Sequence, residues 1–382
     1  MTITEGAAPL AAPPRDEPTD HRGSWLPTAS MVSTRFMELR RRRGIMITIF
    51  VVMVGLPSLF LGVRLIMHLA APKSYGPAGG ADVFTSLVAG VLYVFGFIVA
   101  ATLGCTAGSV DLSEGMFRHL VVTGRSRLAL YLARIPAGLA IVLSMVAVGF
   151  TIVCVVCCFA APTIENFDGA QVPAGLSKSA LVAWAGSHST EIICNLPING
   201  PMPGNINCGP NGAVSIVKGG GGPVAGQLTK AQLSAFAERL AAANYKDYTA
   251  IFLAPPISLM VGSGLWLLLE ATIGFLVGLG LGSLLGQRTV AVILMIVLEI
   301  VLTPIVSRVR IPYMINAQRA VVGIATAHLE PNGLSRVFGS GGGPNARSML
   351  LPESTTVAVI VIVAWVVGWT ALGAWRMMTR DA

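Results

Sequence analysis

The chain has 382 residues, of which 54% are apolar and only 12% charged. A soluble globular protein carries about a quarter of its residues charged, and several apolar runs here exceed the roughly 20 residues that a bilayer demands, so an ordinary soluble domain is excluded. The net charge of +8 is no nucleic-acid signature, because no stretch interleaves basic and aromatic residues as such surfaces do.

Residues 1–30 are rich in Pro, Ala and mixed charge and lack an apolar period, which predicts a disordered tail. No apolar core suited to a signal peptide occurs there. The next stretch, Met31–Arg43 (MVSTRFMELRRRR), places Val32, Phe36 and Leu39 on one helical face and basic residues on the other. It reads as an interfacial helix along the headgroups; a plain basic flank anchoring the first span is the alternative.

Six apolar runs follow: Gly44–Leu69, Val83–Cys105, Leu128–Ala161, Leu259–Gly286, Val290–Val306 and Thr355–Trp375. A spanning segment must satisfy its own backbone, so each is predicted as a helix. Arg40–Arg43, Arg118, Arg125, Arg127, Arg134, Arg288, Arg376 and Arg380 all fall on one side if the chain enters from the cytoplasm. The positive-inside bias then sets both termini cytoplasmic. The Arg308–Arg347 arginines lie in a longer outer connection, where that bias weakens.

Between the second and third runs lies the polar stretch Ser109–Arg127, SVDLSEGMFRHLVVTGRSR. Asp111 is a candidate N-cap, Met116, Phe117 and Leu120 are apolar contacts about one turn apart, and Gly124 suits a left-handed C-cap. This is either a short docking helix for a soluble partner or a solvated loop.

Pro162–Pro256 forms an insertion between the third and fourth runs, Gly-, Pro- and Asn-rich at first and helical later. Thr229 and Gln232 have capping-box spacing, with Leu233, Phe236, Leu240 and Ala243 at helical intervals after them. Cys194 and Cys208 can close a loop of about 15 residues in an oxidising exterior, worth about 3 kcal/mol by chain entropy. After the fifth run, Ile311–Leu329 has helical potential and Gly339–Pro344 breaks it.

Few residues inside the spans carry chemistry. Glu270 and Glu299 are intramembrane carboxylates, which are costly and face protein or a water-filled path. Each lines a translocation path or is merely hydrogen-bonded to a neighbouring helix. Counted at about 1.5 Å per residue from the turn between the fourth and fifth runs, Glu299 falls near mid-membrane and Glu270 nearer the outer face, so they are not expected as a direct pair. Gly274, Gly278, Gly282 and Gly286 recur every fourth residue, a stripe for close helix packing within the subunit or at a dimer seam. Cys154, Cys157 and Cys158 read as small packing residues rather than metal ligands, as does Cys105, and no metal site is expected. His188, beside Ser187 and Ser189, lacks a group to orient it as a base.

The arrangement Glu114-Gly115-Met116-Phe117-Arg118, followed by Thr123-Gly124-Arg125-Ser126-Arg127, resembles the coupling-helix region of ABC-2 family transporter permeases. Glu38-Leu39-Arg40-Arg41-Arg42-Arg43 is similar to that family's connecting helix. Departures are the size of the insertion and a Gly115-Met116 pair where the family commonly has Gly-Thr. Together with the runs above, the resemblance implies an all-α integral membrane protein with six transmembrane helices, an N-terminal interfacial helix and a cytoplasmic coupling helix, to which this sequence adds the outer insertion between spans three and four. Its parts are a tail over 1–30, the interfacial helix 31–43, spans one to three over 44–161 with the coupling helix at 109–124, the extracytoplasmic insertion 162–256, spans four and five over 257–306, an outer loop 307–354 and the last span with a cytoplasmic tail over 355–382.

By that resemblance the chain is half of a twelve-span exporter in a bacterial cell membrane, not itself an enzyme. Asp111, Glu114, Gly115, Met116, Phe117, Arg118 and Arg125 would dock an ABC ATP-binding subunit. That subunit would hold ATP and Mg, with no cofactor in this chain, and a second or homologous permease would complete the pair. No nucleotide loop of the G-x-x-x-x-G-K-[ST] type occurs in the sequence. The cargo expected is amphiphilic: a drug, lipid or lipopeptide. The alternative is a non-transporting membrane sensor or scaffold whose insertion binds a ligand or envelope component.

Overall fold

A computed structural model of the chain describes residues 26–71, 78–113, 126–161, 164–167, 170–195, 205–208, 214–217, 224–227, 229–252, 254–308, 313–331, 334 and 353–379. The described residues are mostly helical, at 85%, and among them five helices are long and apolar enough to cross a membrane.

Helix α1 (Ala29–Arg41) buries Met31, Arg35 and Leu39, and Arg35 Nη1 is ion-paired to Glu38 at 2.7 Å. The buried stripe is thus not purely apolar; Arg35 joins it because its charge is met one turn on. The first long helix, α2 (Arg43–Ala70), is followed by α3 (Ala81–Val110) and α4 (Arg127–Phe159). Two further long helices, α9 (Ile257–Leu285) and α13 (Thr355–Thr379), follow the insertion.

The insertion is a small mixed unit. It contains a hairpin, β1 (Ile164–Phe167) with β2 (Ala170–Pro173), then α5 (Lys178–Ser187) and α6 (Ser189–Asn195). An antiparallel meander of β3 (Asn205–Cys208), β4 (Val214–Val217) and β5 (Val224–Gln227) follows. Helices α7 (Lys230–Ala243) and α8 (Tyr245–Phe252) complete it. The five short strands were not expected from the Gly- and Asn-rich sequence. The expected capping box at the start of α7 is present, with Thr229 N donating to Gln232 Oε1 at 3.0 Å and Gln232 N to Thr229 Oγ1 at 3.4 Å. Val172, Leu181, Ala185, Ile192, Ala237 and Tyr248 make the unit's own core. The buried Tyr248 hydroxyl donates to the Pro173 carbonyl at 2.7 Å and accepts from Leu176 N at 2.9 Å, tying α8 to the hairpin; burial pushes this phenol up.

After α9 the chain continues as α10, made of the contiguous stretches Arg288–Ile296, Val297–Leu302 and Thr303–Arg308, the middle one a π turn. Short helices α11 (Ile315–Arg319) and α12 (Val322–His328) precede α13. The expected helical potential of Ile311–Leu329 is therefore split in two, and its second half does not stay outside the bundle. Helix α12 packs against α13 and the end of α10. Trp365 Nε1 donates to the Ala320 carbonyl at 2.7 Å, and Trp266 Nε1 to that of Thr326 at 3.1 Å.

Helices α3 and α9 are central: 67% and 78% of their most apolar windows are buried, against 28%, 28% and 22% for α2, α4 and α13. What lets α3 and α9 approach is the absence of side chains. A Cβ on Gly278 would stand 2.7 Å from the Ala101 carbonyl oxygen, and one on Gly282 2.5 Å from that of Cys105. Gly104 and Gly108 answer from α3, facing backbone of Phe275 and Leu279. The small-residue stripe thus packs within the subunit, as close backbone contact requires. Gly286 is not part of that seam; it ends α9 with φ 70° and donates to the Gly282 carbonyl at 2.9 Å. Large apolar side chains such as Leu59, Ile66, Leu69, Ile257 and Leu265 remain on the outer surface, as spans in lipid would leave them.

Contacts sort the helix ends into two groups. At one end, Met31 of α1 packs with Ala129, Leu130 and Ala133 of α4. There, too, Arg127 Nη1 donates to the Met378 carbonyl at 3.1 Å. At the other end Gly80 N donates to the Cys157 carbonyl at 2.9 Å, and α8 of the insertion meets the start of α3.

Candidate functional site

The densest polar cluster lies between the long helices. Its first element is the Leu87–Leu92 π turn in α3, which ends immediately before Tyr93. Its second is the Val297–Leu302 π turn in α10, which contains Glu299. A π turn inserts an extra residue into a helix and re-aims the side chains around it, which is why such turns mark working sites. Here the Tyr93 hydroxyl donates to Glu299 Oε1 at 3.2 Å.

Helix α9 supplies the next two groups. Trp266 stacks on Tyr93, with ring centroids 4.9 Å apart and planes 15° from parallel. One turn on, Glu270 acts electrostatically on Glu299, while the Thr326 hydroxyl of α12 donates to the Gly323 carbonyl at 3.2 Å. Glu270 and Glu299 are each 2% exposed. Glu270 Oε1 and Glu299 Oε2 have no hydrogen-bond partner among the described residues. The Thr303 hydroxyl, one turn on in α10, donates to the Leu298 carbonyl at 3.0 Å.

Helix α12 closes the cluster. Gly323 lies so close that a Cβ there would strike the Glu299 carboxylate and come within 2.6 Å of Thr303 Cγ2. Glu330, just past α12, is buried and acts electrostatically on Tyr93 and Glu270. Beyond it, His328 Nδ1 lies 2.8 Å from the Ile324 carbonyl oxygen and 3.5 Å from Glu353 Oε2. Burial pushes the Glu353 carboxyl up, while His328 and Arg319 pull the other way.

This arrangement corrects the expectation that the two intramembrane carboxylates sit apart. Counting residues from one turn assumes parallel, untilted helices and ignores α12, which folds back between them. Measured from the insertion-side ends of α3, α9 and α10, Tyr93, Glu270 and Glu299 all fall about 14–20 Å deep at 1.5 Å per residue. Sequence reasoning missed Tyr93, Trp266, Gly323, Thr326 and Glu330. The available signal was VGIATAH, an apolar helix too short to span, which must bury itself against something else.

The expected docking region fares differently. Helix continues through Ser113, so Asp111 lies in the last turn of the α3 helix rather than at an N-cap. No Gly or Pro breaks the run from Ser109 to Ser113, and the span simply extends past the apolar stretch. Glu114, Gly115, Met116, Phe117, Arg118, Gly124 and Arg125 lie outside the described residues. What is described is the anchorage beside them. The Gly108 carbonyl accepts from Arg134 Nη1 at 3.3 Å and from Ser283 Oγ at 3.3 Å, joining α3, α4 and α9 at one oxygen. Arg134 is 2% exposed.

Cys194 and Cys208 are joined as a disulfide, Cα atoms 5.9 Å apart, which pins α6 to β3. Cys105, Cys154, Cys157 and Cys158 are free thiols in the spans, and no metal-ligand grouping occurs among the described residues. His188 Nδ1 lies 2.9 Å from Ser187 Oγ and 3.0 Å from the Trp184 carbonyl oxygen, with its ring stacked on Trp184; these are contacts of a helix end. No protein-family model, curated protein or solved structure matches the chain.

Proposed function

We propose that this chain is the permease subunit of an ATP-driven ABC exporter of the ABC-2 type, in a bacterial cell membrane. Its termini face the cytoplasm and α10 counts as the sixth span. A separate ATP-binding subunit, holding ATP and Mg, docks on the segment 114–125, and a second or homologous permease completes the translocator. The cargo is amphiphilic: a drug, lipid or lipopeptide.

One observation supports this reading above the others. The chain enters and leaves the segment 114–125 beside the junction where Arg134 and Ser283 share the Gly108 carbonyl. Force applied to that segment would reach both central helices, α3 and α9, directly. The same end carries α1, the start of α4 and the end of α13, and Arg40–Arg43, Arg127, Arg134 and Arg376 belong to those elements. That placement fits a cytoplasmic face. A motor's stroke would then shift the population between two arrangements of the paired bundles.

In this role Phe117 is an aromatic anchor in a groove of the motor, with Glu114 and Arg118 fixing register. Replacing Phe117 by Ala is expected to weaken motor binding by roughly 2 kcal/mol, the scale of such an anchor. Substrate-coupled ATP turnover of the purified complex falls with it. Unchanged coupled turnover in an intact complex would remove Phe117 from this role.

A second reading draws on the insertion, which has its own core and disulfide. In it the chain is a non-transporting sensor or scaffold that binds an envelope component on that unit. It requires no bound ATPase, so co-purification from native membranes separates the two.

A further inference from the structure

We propose that Glu270 and Glu299 form a proton-binding site inside the membrane, loaded from the insertion side along α12 through Glu330, His328 and Glu353.

No basic group among the described residues acts on the Glu270 and Glu299 pair. Two carboxyl groups, each 2% exposed, act on one another at mid-depth. The groups that act on them are Tyr93, Thr303, Thr326 and Glu330, and none is basic. Glu270 Oε1 and Glu299 Oε2, both buried, have no hydrogen-bond partner among the described residues. A buried carboxylate without a counter-charge costs several kcal/mol, and it is relieved by a paired group, a bound cation or a proton. The space selects a small one. Gly323 presses on Glu299 closely enough that one methyl group would collide, and no metal-ligand grouping occurs among the described residues. A proton needs no room.

The route follows from the order of titratable groups. Glu299 is joined to Tyr93 by a hydrogen bond of 3.2 Å. Helix α12 packs beside the pair through Gly323, and Glu330 at the end of that helix acts on both Tyr93 and Glu270. His328 meets Glu353 at 3.5 Å, where Arg319 also acts. Carboxylates and a histidine in succession toward mid-membrane are the usual material of an intramembrane proton relay. A protonated His328 ring gives its N–H proton to the Glu330 carboxylate, and the imidazole recovers a proton from water or Glu353. The Glu330 O–H then breaks as an O–H forms on Glu270 or Glu299. One proton leaves the aqueous side, one is gained by the pair, and no electron moves.

This inference does not depend on the exporter reading, and its test needs no motor. The full-length protein in lipid nanodiscs is followed by infrared spectroscopy in the carboxyl stretching region at neutral pH. The wild type is expected to show a protonated, buried carboxyl band that the double variant Glu270→Gln, Glu299→Gln loses. Tyr93→Phe keeps the ring and its stacking, and is expected to shift that band by removing one hydrogen bond. Transfer into D2O is expected to shift the wild-type band, and His328→Ala to slow that exchange by about a hundredfold or more, the scale of a lost proton-transfer group. A wild type with no such band, or a band that survives in the double variant, would overturn the site. An unchanged exchange rate in His328→Ala would overturn the route. A carboxylate band that answers to added sodium, with no protonated carboxyl present, would make this an alkali-ion site and also overturn the proposal.

Discussion

Two polar sites are buried among the spans, and they are built on opposite plans. At the Gly108 junction the described polar groups are matched: one carbonyl oxygen takes a guanidinium and a hydroxyl, and three helices are held in register. In the Tyr93–Glu270–Glu299 cluster two buried carboxylate oxygens, Glu270 Oε1 and Glu299 Oε2, have no donor among the described residues. The junction is made of Gly and Ser at a close helix crossing with one long cation laid across it. The cluster lies where π turns loosen two helices and a short helix enters from outside. A satisfied network fixes a geometry, whereas an unsatisfied one depends on what binds it. The first suits transmission of force, and the second suits a group that must change its state.

The largest effect is expected where the two plans share a scaffold, the α3–α9 seam. Gly278→Leu would drive a side chain into the Ala101 backbone. Overpacking of this kind costs about 1–3 kcal/mol or more. Loss of monodisperse protein on size exclusion and a lower thermal midpoint are the expected readouts. Next comes the junction itself. Arg134→Leu leaves the Gly108 carbonyl with one donor fewer, a loss of about 1–3 kcal/mol, and is expected to depress coupled ATP turnover more than stability alone explains. If Arg134→Leu behaves as an ordinary destabilised protein with coupling intact, the junction is only structural and the contrast between the two sites dissolves.

Gly323→Ala sharpens the other side of the comparison. A methyl group there displaces Glu299 or moves α12 outward. The expected result is faster hydrogen exchange of α12 amides, with those of the insertion unchanged. The insertion supplies the smallest effects. Cys194→Ser opens a loop with a sequence separation of 14, worth about 3 kcal/mol to that unit by chain entropy, and Thr229→Ala removes a cap worth about 1 kcal/mol. Both are expected to lower protease resistance of the insertion while leaving motor binding and the infrared carboxyl band untouched.

Much of the helical frame was legible because lipid imposes length and apolarity together. The spans Arg43–Ala70, Ala81–Val110, Arg127–Phe159, Ile257–Leu285 and Thr355–Thr379 lie within a few residues of the runs read from hydropathy. The Gly274–Gly278–Gly282 stripe was legible because its period matches the helix, but its partner was not, since Gly104 and Gly108 are too few to make a pattern. The cluster could not be read. Tyr93 and Glu299 are 206 residues apart, and nothing local in VGIATAH says that this helix goes between spans rather than lying outside. The strands of the insertion escaped for a different reason: their four-residue lengths and flanking Gly, Pro and Asn carry no period.

The proposed motor grips the end of the bundle at which α3 leaves and α4 begins. The most direct measurement is the composition of the complex purified from its native membrane through a tag on this chain. The expected result is a P-loop ATPase bound in equal amount, released by substitutions at Phe117 and Arg118. This chain recovered intact and active with no ATPase attached would contradict it.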